Sequence, residues 1–300
     1  PWRVQPDIAG GGYFYDLAPH QIDLLQEMFG PIIEAEGYTA NRGGLYKTED
    51  TVSACFRFTD GTPGSGSWCF VAHESAKEDR IEIIGDAGQV SFSVFTYAPI
   101  VLYTAQGREE FAIENPACVQ LPLIKLVVEH LQNKAICTCD CISATSVNWV
   151  VDKIHRNIRR QQCQAEHAKE DCRGCSLSRA EERQSVFGHG IPKWYDDAQR
   201  LVDDPNVNAV YIATPPSTHA TYAIMAMKSG KAVYIEKPMA SNYEDCGRIN
   251  RIAEKTNVPC FVAYYRRYLP YFLKVKEIIK SGKIGNPINI QIRFAVPPRD

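Results

Sequence analysis

Alternation of strand-like and helix-like segments in the second half of the chain constrains the fold more than any other sequence feature. Three short apolar runs rich in β-branched and aromatic residues are typical of buried parallel strands. The two segments between them begin with capping residues and have the composition of helices. The predicted strands are 209–214, 232–236 and 259–264, and the predicted helices are about 219–229 and 243–256. This β-α-β-α-β order predicts right-handed crossovers and a doubly wound parallel sheet.

Each predicted strand ends in an unusual polar or proline-containing tail. The tails are Thr214-Pro215-Pro216, Glu236-Lys237-Pro238 and Tyr265-Arg266-Arg267. The carboxyl ends of parallel strands meet at one edge, and open α/β sheets bind their ligands there. A single proline after a strand is most simply a strand terminator. Three coincident tails favour a ligand site.

The first half has a different pattern, with apolar residues at every second position. Asp60-Gly61 and Asp86-Ala87-Gly88 have the composition of turns between such runs. The predicted strands are 51–58, 66–72, 80–84, 89–95 and 100–103. We therefore predict an α+β domain with an open, mostly antiparallel sheet, and an α/β fold class for the whole chain.

A glycine triplet, Gly10–Gly12, precedes an amphipathic helix that ends at Gly30. Pro19 predicts a helix start near residues 16–18, because proline is tolerated in the first turn. Asp16 and His20 are four residues apart and share one helix face. A carboxylate beside an imidazole can fix its tautomer, and a histidine that titrates near neutrality suits a general acid or base.

The alternative is that Asp16 only caps the helix and His20 is a surface side chain. The glycine triplet favours a site, because glycine lets the backbone approach a ligand or another chain closely.

Composition excludes several classes of protein. The hydrophobic share of 45% and the charged share of 23% are ordinary globular values. A net charge of −2 disfavours a generic nucleic-acid binder. The sequence contains no apolar run of about 18 residues, so we predict no membrane span. The first residues lack the layout of a signal peptide, so we expect a cytoplasmic protein, although the chain does not begin with Met and a trimmed leader stays open.

Eleven cysteines are present, and their odd number argues against a disulfide framework. Four side chains between residues 163 and 175 could ligate zinc, namely Cys163, His167, Cys172 and Cys175. Their spacing matches no standard finger, and the surrounding residues are polar. We interpret 163–175 as a basic linker and predict no metal site.

Four motifs together resemble those of the glucose–fructose oxidoreductase / inositol dehydrogenase (Gfo/Idh/MocA) family. They are Glu236-Lys237-Pro238, the run from Ala213 to His219, the run from Gly10 to His20, and the run from Ala263 to Arg267. The resemblance covers roughly 1–154 and 176–300. It implies a Rossmann domain that binds NAD or NADP, and an open-sheet domain that holds a sugar, polyol or related small molecule. It also implies a homo-oligomer.

The resemblance implies Lys237, His20 and Asp16 as the catalytic group. His20 would exchange a proton with the reacting oxygen, Lys237 would stabilise negative charge there, and Asp16 would orient the site. The implied cofactor-binding residues are Thr214, Pro215, Pro216, His219, Glu236, Lys237, Tyr265 and Arg266.

The chain departs from the family in its order. The substrate-domain motifs come first, which predicts a circular permutation with the join between residues 300 and 1. The predicted divisions are a substrate and oligomerisation domain at 1–154, an atypical linker at 155–175, a partial Rossmann domain at 176–269, and a return to the substrate domain at 270–300. Within this last segment we predict a strand at 287–296.

The chain also departs in lacking any Gly-x-Gly-x-x-Gly, the loop whose backbone N–H groups meet the pyrophosphate. Three explanations stay open: an assembled or mis-framed sequence, a lost unit, or a unit supplied by a partner chain. Two functions follow. The first is an NAD(P)-dependent oxidoreductase acting on a sugar-like or cyclic alcohol or ketone. The second is a catalytically silent binding or scaffold protein.

Overall fold

The computed structural model describes residues 2–156 and 193–298. Its helices are α1 (Pro6–Ala9), α2 (Tyr13–Phe29), α3 (Leu121–Leu131), α4 (Cys141–Arg156), α5 (Ala198–Val202), α6 (Pro216–Lys228), α7 (Tyr243–Thr256) and α8 (Pro270–Lys280). Its strands are β1 (Ile32–Ala40), β2 (Thr51–Phe58), β3 (Pro63–Cys69), β4 (Glu78–Gly85), β5 (Gly88–Phe92), β6 (Ile100–Thr104), β7 (Gly107–Phe111), β8 (Ala209–Ile212), β9 (Ala232–Ile235), β10 (Cys260–Val262) and β11 (Pro287–Ala295). Single 3₁₀ turns form at Trp2–Val4, Glu74–Ala76 and Tyr265–Tyr268.

The larger sheet has eight strands in the order β1-β2-β3-β11-β4-β5-β6-β7. The late strand β11 lies in the middle of it, parallel to β3 and antiparallel to β4. The other neighbouring pairs are antiparallel. The two ends of the sequence therefore contribute to one sheet.

Alternating side chains explain why this sheet is open. In β3 the buried and exposed positions alternate from Pro63 onwards. Trp68 is fully buried on the face that packs against α2, where its ring lies 5.0 Å from that of Phe14. On β1, by contrast, Tyr38 is 82% exposed. One face of the sheet thus supports the core and the other faces outwards.

The smaller sheet has three parallel strands in the order β10-β9-β8. Helices α6 and α7 connect them and pack against each other. Buried alanines on α6 let that helix lie close to the strands. The fold class predicted from the sequence is confirmed: an α/β fold, with a Rossmann-like parallel sheet beside an open, mostly antiparallel one.

Two helix starts differ from their predictions. Helix α2 begins at Tyr13, and Pro19 lies inside it. Proline costs a backbone hydrogen bond there, but the buried side chains of the first turns offset that loss. Helix α6 begins at Pro216, because a proline ring preorganises the first helical residue.

Among the described residues, no helix is both long enough and apolar enough to cross a membrane. The predicted linker at 155–175 begins within α4, which ends at Arg156, and its remaining residues lie outside the described ones.

Candidate active site

The three strand tails meet at one edge of the parallel sheet. His219 is fully buried and joins two of them, because its Nε2 lies 2.7 Å from the Thr214 carbonyl oxygen and its Nδ1 lies 3.0 Å from that of Pro238. The Tyr211 hydroxyl of β8 donates to Glu236 at 2.5 Å, and the Gln120 amide donates to the same oxygen at 3.0 Å. These hydrogen bonds therefore hold the tails in place at this edge.

Lys237 reaches from this edge to the start of α2. Its ammonium donates to the Asp16 carbonyl oxygen at 2.8 Å and forms an ion pair with the Asp16 carboxylate. The Lys237 side chain is 15% exposed. Arg3 Nε lies 3.2 Å from the other carboxylate oxygen of Asp16. A residue of the parallel sheet is thus joined to a helix that supports the larger sheet.

The glycine triplet explains why these two elements come so close. Gly10 has a φ of +85°, which glycine adopts at little cost, and a Cβ there would overlap the carbonyl oxygen of Ser241. Gly12 donates its N–H to Glu49 Oε1 at 2.8 Å. The triplet therefore lets the chain before α2 dock against the segment that follows Lys237.

His20 lies one turn beyond Asp16 and is 4% exposed. Its ring contacts those of Phe95, Tyr264 and Tyr265, with centroids 6.1, 6.1 and 5.5 Å away. Among the described residues, its Nδ1 has no hydrogen-bond partner. Burial, with the positive charges of Lys237 and Arg266, lowers the pKa of His20 well below its usual value.

This corrects the expectation that His20 titrates near neutrality beside Asp16. The Asp16 carboxylate is engaged by Lys237 and Arg3, while His20 is enclosed by aromatic rings. A neutral imidazole is the resting form that this environment favours.

Arg266 and Arg267 are neighbours in sequence but lie in different surroundings. Arg266 is 7% exposed, donates to the Tyr97 hydroxyl at 2.7 Å, and packs its guanidinium over Phe95, Tyr97 and Tyr265 at 4.7 to 5.5 Å. Arg267 turns away and forms a two-pronged ion pair with Asp23, with Nε at 2.8 Å. The first arginine borders His20, and the second anchors the tail to α2.

The structure thus brings together Lys237, Asp16, His20, Tyr265 and Arg266. The remaining residues predicted to bind cofactor divide by exposure. Thr214 and Pro215 are exposed at the strand edge, and Glu236 is half-buried beneath them. Pro216 and His219 are buried and hold the tails in place.

Sequence reasoning missed four neighbours of the site. Arg3 and Gln120 gave no signal, because a lone arginine or glutamine in a loop is common. Phe95 and Tyr97 form half of the ring contacts around His20 and Arg266. Their clustering at the end of a predicted strand was the one signal that could have indicated a site.

Within residues 2–156 and 193–298, no group of three or more metal-ligating side chains is present. The candidate zinc ligands at 163–175 lie outside these ranges.

Comparison with known proteins gives matches in both halves. A family model described as "Oxidoreductase family, NAD-binding Rossmann fold" matches residues 151–264, and a model of the GFO/IDH/MocA C-terminal domain matches residues 1–91. The segment that resembles a C-terminal domain therefore precedes the one that resembles the Rossmann domain. This order agrees with the predicted permutation.

Individual relatives match over a shorter range. Oxidoreductase P35 of Formosa agariphila is 45% identical over 106 residues, 35% of this chain and 33% of that protein. The scyllo-inositol 2-dehydrogenase (NAD(+)) of Bacillus subtilis is 37% identical over 99 residues, 33% of this chain and 29% of that protein. A crystal structure of a probable dehydrogenase from Thermotoga maritima has 34% identity and a TM-score of 0.34, covering 36% of this chain and 32% of that one.

The chain thus spans about a third of the length of the curated relatives that it matches. Two domain models of a single family nevertheless match separate segments, and inositol dehydrogenases are among the relatives. The chain therefore belongs to the GFO/IDH/MocA family of NAD-binding oxidoreductases, with its two domain segments in reversed order.

Proposed function

We propose that the chain is an NAD(P)-dependent oxidoreductase that transfers a hydride between a nicotinamide cofactor and a sugar-like or cyclic alcohol or ketone. The catalytic residues would be Lys237, His20 and Asp16. The observation that carries the proposal is the contact between Lys237 and Asp16, which joins residues 221 positions apart. The Lys237 charge also acts on the buried imidazole of His20.

The described residues fit the nicotinamide end of a dinucleotide. Thr214 and Pro215 are exposed at the strand edge, and the ring of the half-buried Tyr265 lies 5.5 Å from that of His20. This is the edge at which open α/β sheets take their ligands. Binding of the pyrophosphate part of the dinucleotide has less support, because no Gly-x-Gly-x-x-Gly occurs in the sequence.

Each catalytic residue would have a separate task. The cofactor would supply only the hydride chemistry. A neutral His20 would accept the proton of a substrate hydroxyl during oxidation and return it during reduction. The Lys237 ammonium would stabilise the negative charge that develops on the same oxygen. Asp16 would hold that ammonium in place through both its carboxylate and its backbone carbonyl oxygen.

A second candidate function is a catalytically silent binding or scaffold protein of the same family. The missing glycine-rich loop favours it, because that loop provides most backbone contacts to a dinucleotide phosphate. The two candidates differ in what they require of Lys237. A silent protein has no need for a partly buried lysine–aspartate pair beside an enclosed histidine. Homo-oligomerisation and the domain boundaries at 154, 175 and 269 stay predictions under either function.

Titration with NADH and with NADPH separates the candidates, with nicotinamide fluorescence as the readout. We expect saturable enhancement with one or both cofactors, and a weaker or altered signal for Lys237→Met. The exposed Lys228→Met is the matched control, because Lys228 lies at the far end of α6. No enhancement at millimolar cofactor would favour the silent protein and end the proposed hydride transfer.

A further inference from the structure

Two buried cysteines lie opposite each other at the outer edge of the parallel sheet. The segment before α4 runs antiparallel along β10: Val262 donates its N–H to the Cys139 carbonyl oxygen at 3.0 Å, and Asp140 bridges Phe261. One step further in this register places Cys141 opposite Cys260. Directly opposed residues of antiparallel strands have Cβ atoms about 4.5–5.5 Å apart, with side chains on the same face.

Both thiols border one cavity. It has a volume of about 480 Å³, and its lining includes Cys141, Cys260, His130 and Asn250. Cys141 and Cys260 are 5% and 4% exposed, and both are free thiols. A small solute that enters the cavity therefore contacts both cysteines.

The two thiols have unequal surroundings. Cys141 is the first residue of α4, so backbone N–H groups of the helix start face its sulfur. A hydrogen bond with Cys260, then these backbone groups, lowers the pKa of Cys141. The same hydrogen bond, with burial, raises the pKa of Cys260 well above its usual value. One sulfur is thus favoured as the thiolate and its neighbour as the thiol.

We propose that Cys141 and Cys260 form a dithiol–disulfide pair that small oxidants, such as hydrogen peroxide, convert through this cavity. The Cys141 thiolate attacks one peroxide oxygen, the O–O bond breaks, and hydroxide leaves to become water. The resulting sulfenic acid is attacked by the Cys260 sulfur, which forms the S–S bond and releases a second water. Two thiols lose two electrons and two protons, and one peroxide becomes two waters.

Neighbouring cysteines are held as unreactive thiols. Cys139 donates its S–H to the Val262 carbonyl oxygen at 3.0 Å, and burial raises its pKa. Burial also raises the pKa of Cys246 well above its usual value. The disulfide would therefore form selectively, and it would tie the start of α4 to the strand that leads into Tyr265 and Arg266.

Peptide mapping of the full chain tests the pair. The protein is treated with hydrogen peroxide, alkylated, and digested without reduction for mass spectrometry. We expect a cross-linked peptide containing Cys141 and Cys260 that disappears with dithiothreitol and in Cys141→Ser. It should persist in Cys118→Ser, which removes an exposed cysteine elsewhere. Separate alkylated or over-oxidised peptides for the two cysteines, without the cross-link, would overturn the proposal.

A second measurement does not depend on cross-link formation. The iodoacetamide reaction of each cysteine is followed by mass spectrometry in the reduced protein at pH 7. We expect Cys141 to react faster than Cys139 and Cys260, and Cys260→Ala to slow Cys141 several-fold, because alanine removes the thiol that hydrogen-bonds the Cys141 sulfur. Equal rates at Cys141 and Cys260 in the unmodified chain would contradict an unequal pair.

Discussion

His219 and His20 are two buried imidazoles of the candidate site. His219 holds the tails of β8 and β9 together through two backbone carbonyl oxygens. His20 makes ring contacts on three sides and has no partner at Nδ1 among the described residues. Burial lowers the pKa of both. The first therefore positions the edge, and the second is the one that we propose for proton exchange.

Lys237→Met should lower kcat by about 10²–10³-fold if the lysine stabilises charge on the reacting oxygen. The fold should be retained, since the methionine keeps much of the buried stem and Arg3 still pairs with Asp16. Steady-state kinetics with the bound cofactor, alongside circular dichroism, would measure both effects. A variant with unchanged kcat and an unchanged spectrum would remove Lys237 from the chemistry.

His20 should make the protein less stable in acid. Its folded pKa is lowered, so below the unfolded pKa of about 6.5 the unfolded chain binds a proton that the folded chain does not. The free energy of unfolding should therefore fall by up to about 1.4 kcal/mol per pH unit for this group as the pH drops below 6.5. Urea unfolding between pH 5 and 7 would measure the slope.

In His20→Gln the pH dependence of the unfolding free energy should weaken by up to about 1.4 kcal/mol per pH unit, which corresponds to one proton. The contribution of His219 is retained. All other titrating groups are common to the two proteins, so their contributions cancel in the difference. Superimposable slopes would contradict a lowered pKa, because they would show that His20 binds its proton equally well in the folded and unfolded chains.

At the scale of elements, the close approach of the glycine triplet to the segment after Lys237 sets the site. Helix α2 carries Asp16 and His20, and the segment after β9 carries Lys237. Neither element's own sequence pattern requires the other. Their separation is fixed by backbone contact at Gly10 and by the absence of a side chain there.

Gly10→Ala should separate these elements, because its Cβ would overlap the Ser241 carbonyl oxygen. Gly282→Ala is the matched control: Gly282 also has a positive φ, of +73°, but a Cβ there meets open space. Both variants carry backbone strain of about 1–3 kcal/mol, so the further loss in Gly10→Ala measures the close approach. We expect the control alone to keep cofactor binding, measured by fluorescence. Equal stability and binding in the two variants would contradict this account.

At the scale of the whole molecule, buried polar contacts hold the two halves of the sequence together. Arg267 pairs with Asp23, 244 residues away, and its Nη1 lies 3.1 Å from Glu27. Strand β11 inserts between β3 and β4. The reversed domain order is therefore compatible with one continuous core, because chain order matters less than the contacts that neighbouring elements make.

Arg267→Met should cost about 3–5 kcal/mol of unfolding free energy, since it leaves Asp23 buried without its partner. Combining it with Asp23→Leu should restore part of that loss. Arg248→Met is the control, because the exposed Arg248–Asp245 pair on α7 contributes only about 0–1 kcal/mol. Chemical denaturation of the unmodified protein, these three variants and Asp23→Leu alone would measure these values. Additive losses in the double variant would mean that the pair is not coupled.

The sequence by itself determined the elements with strong local signals. Strand β2 at 51–58 and helix α7 at 243–256 have their predicted bounds, because alternation and an Asn242 cap are local patterns. Strands β1 and β7 were missed, because Glu34, Glu36 and Gly37 interrupt the apolar pattern of β1 and charged residues dominate β7. The strand tails were predicted from their composition, and the set of Lys237, Asp16 and His20 from the family resemblance; the structure places these three residues together, and their catalytic role stays a prediction.

Only the tertiary structure decided which of those residues meet and in what electrostatic state. The neighbouring arginines 266 and 267 are indistinguishable in sequence, yet one packs among aromatic rings and the other forms a buried ion pair. The lowered pKa of His20 likewise depends on burial and on charges more than 200 residues away. Desolvation and Coulomb energies depend on distance in space, and local sequence patterns carry no record of that distance.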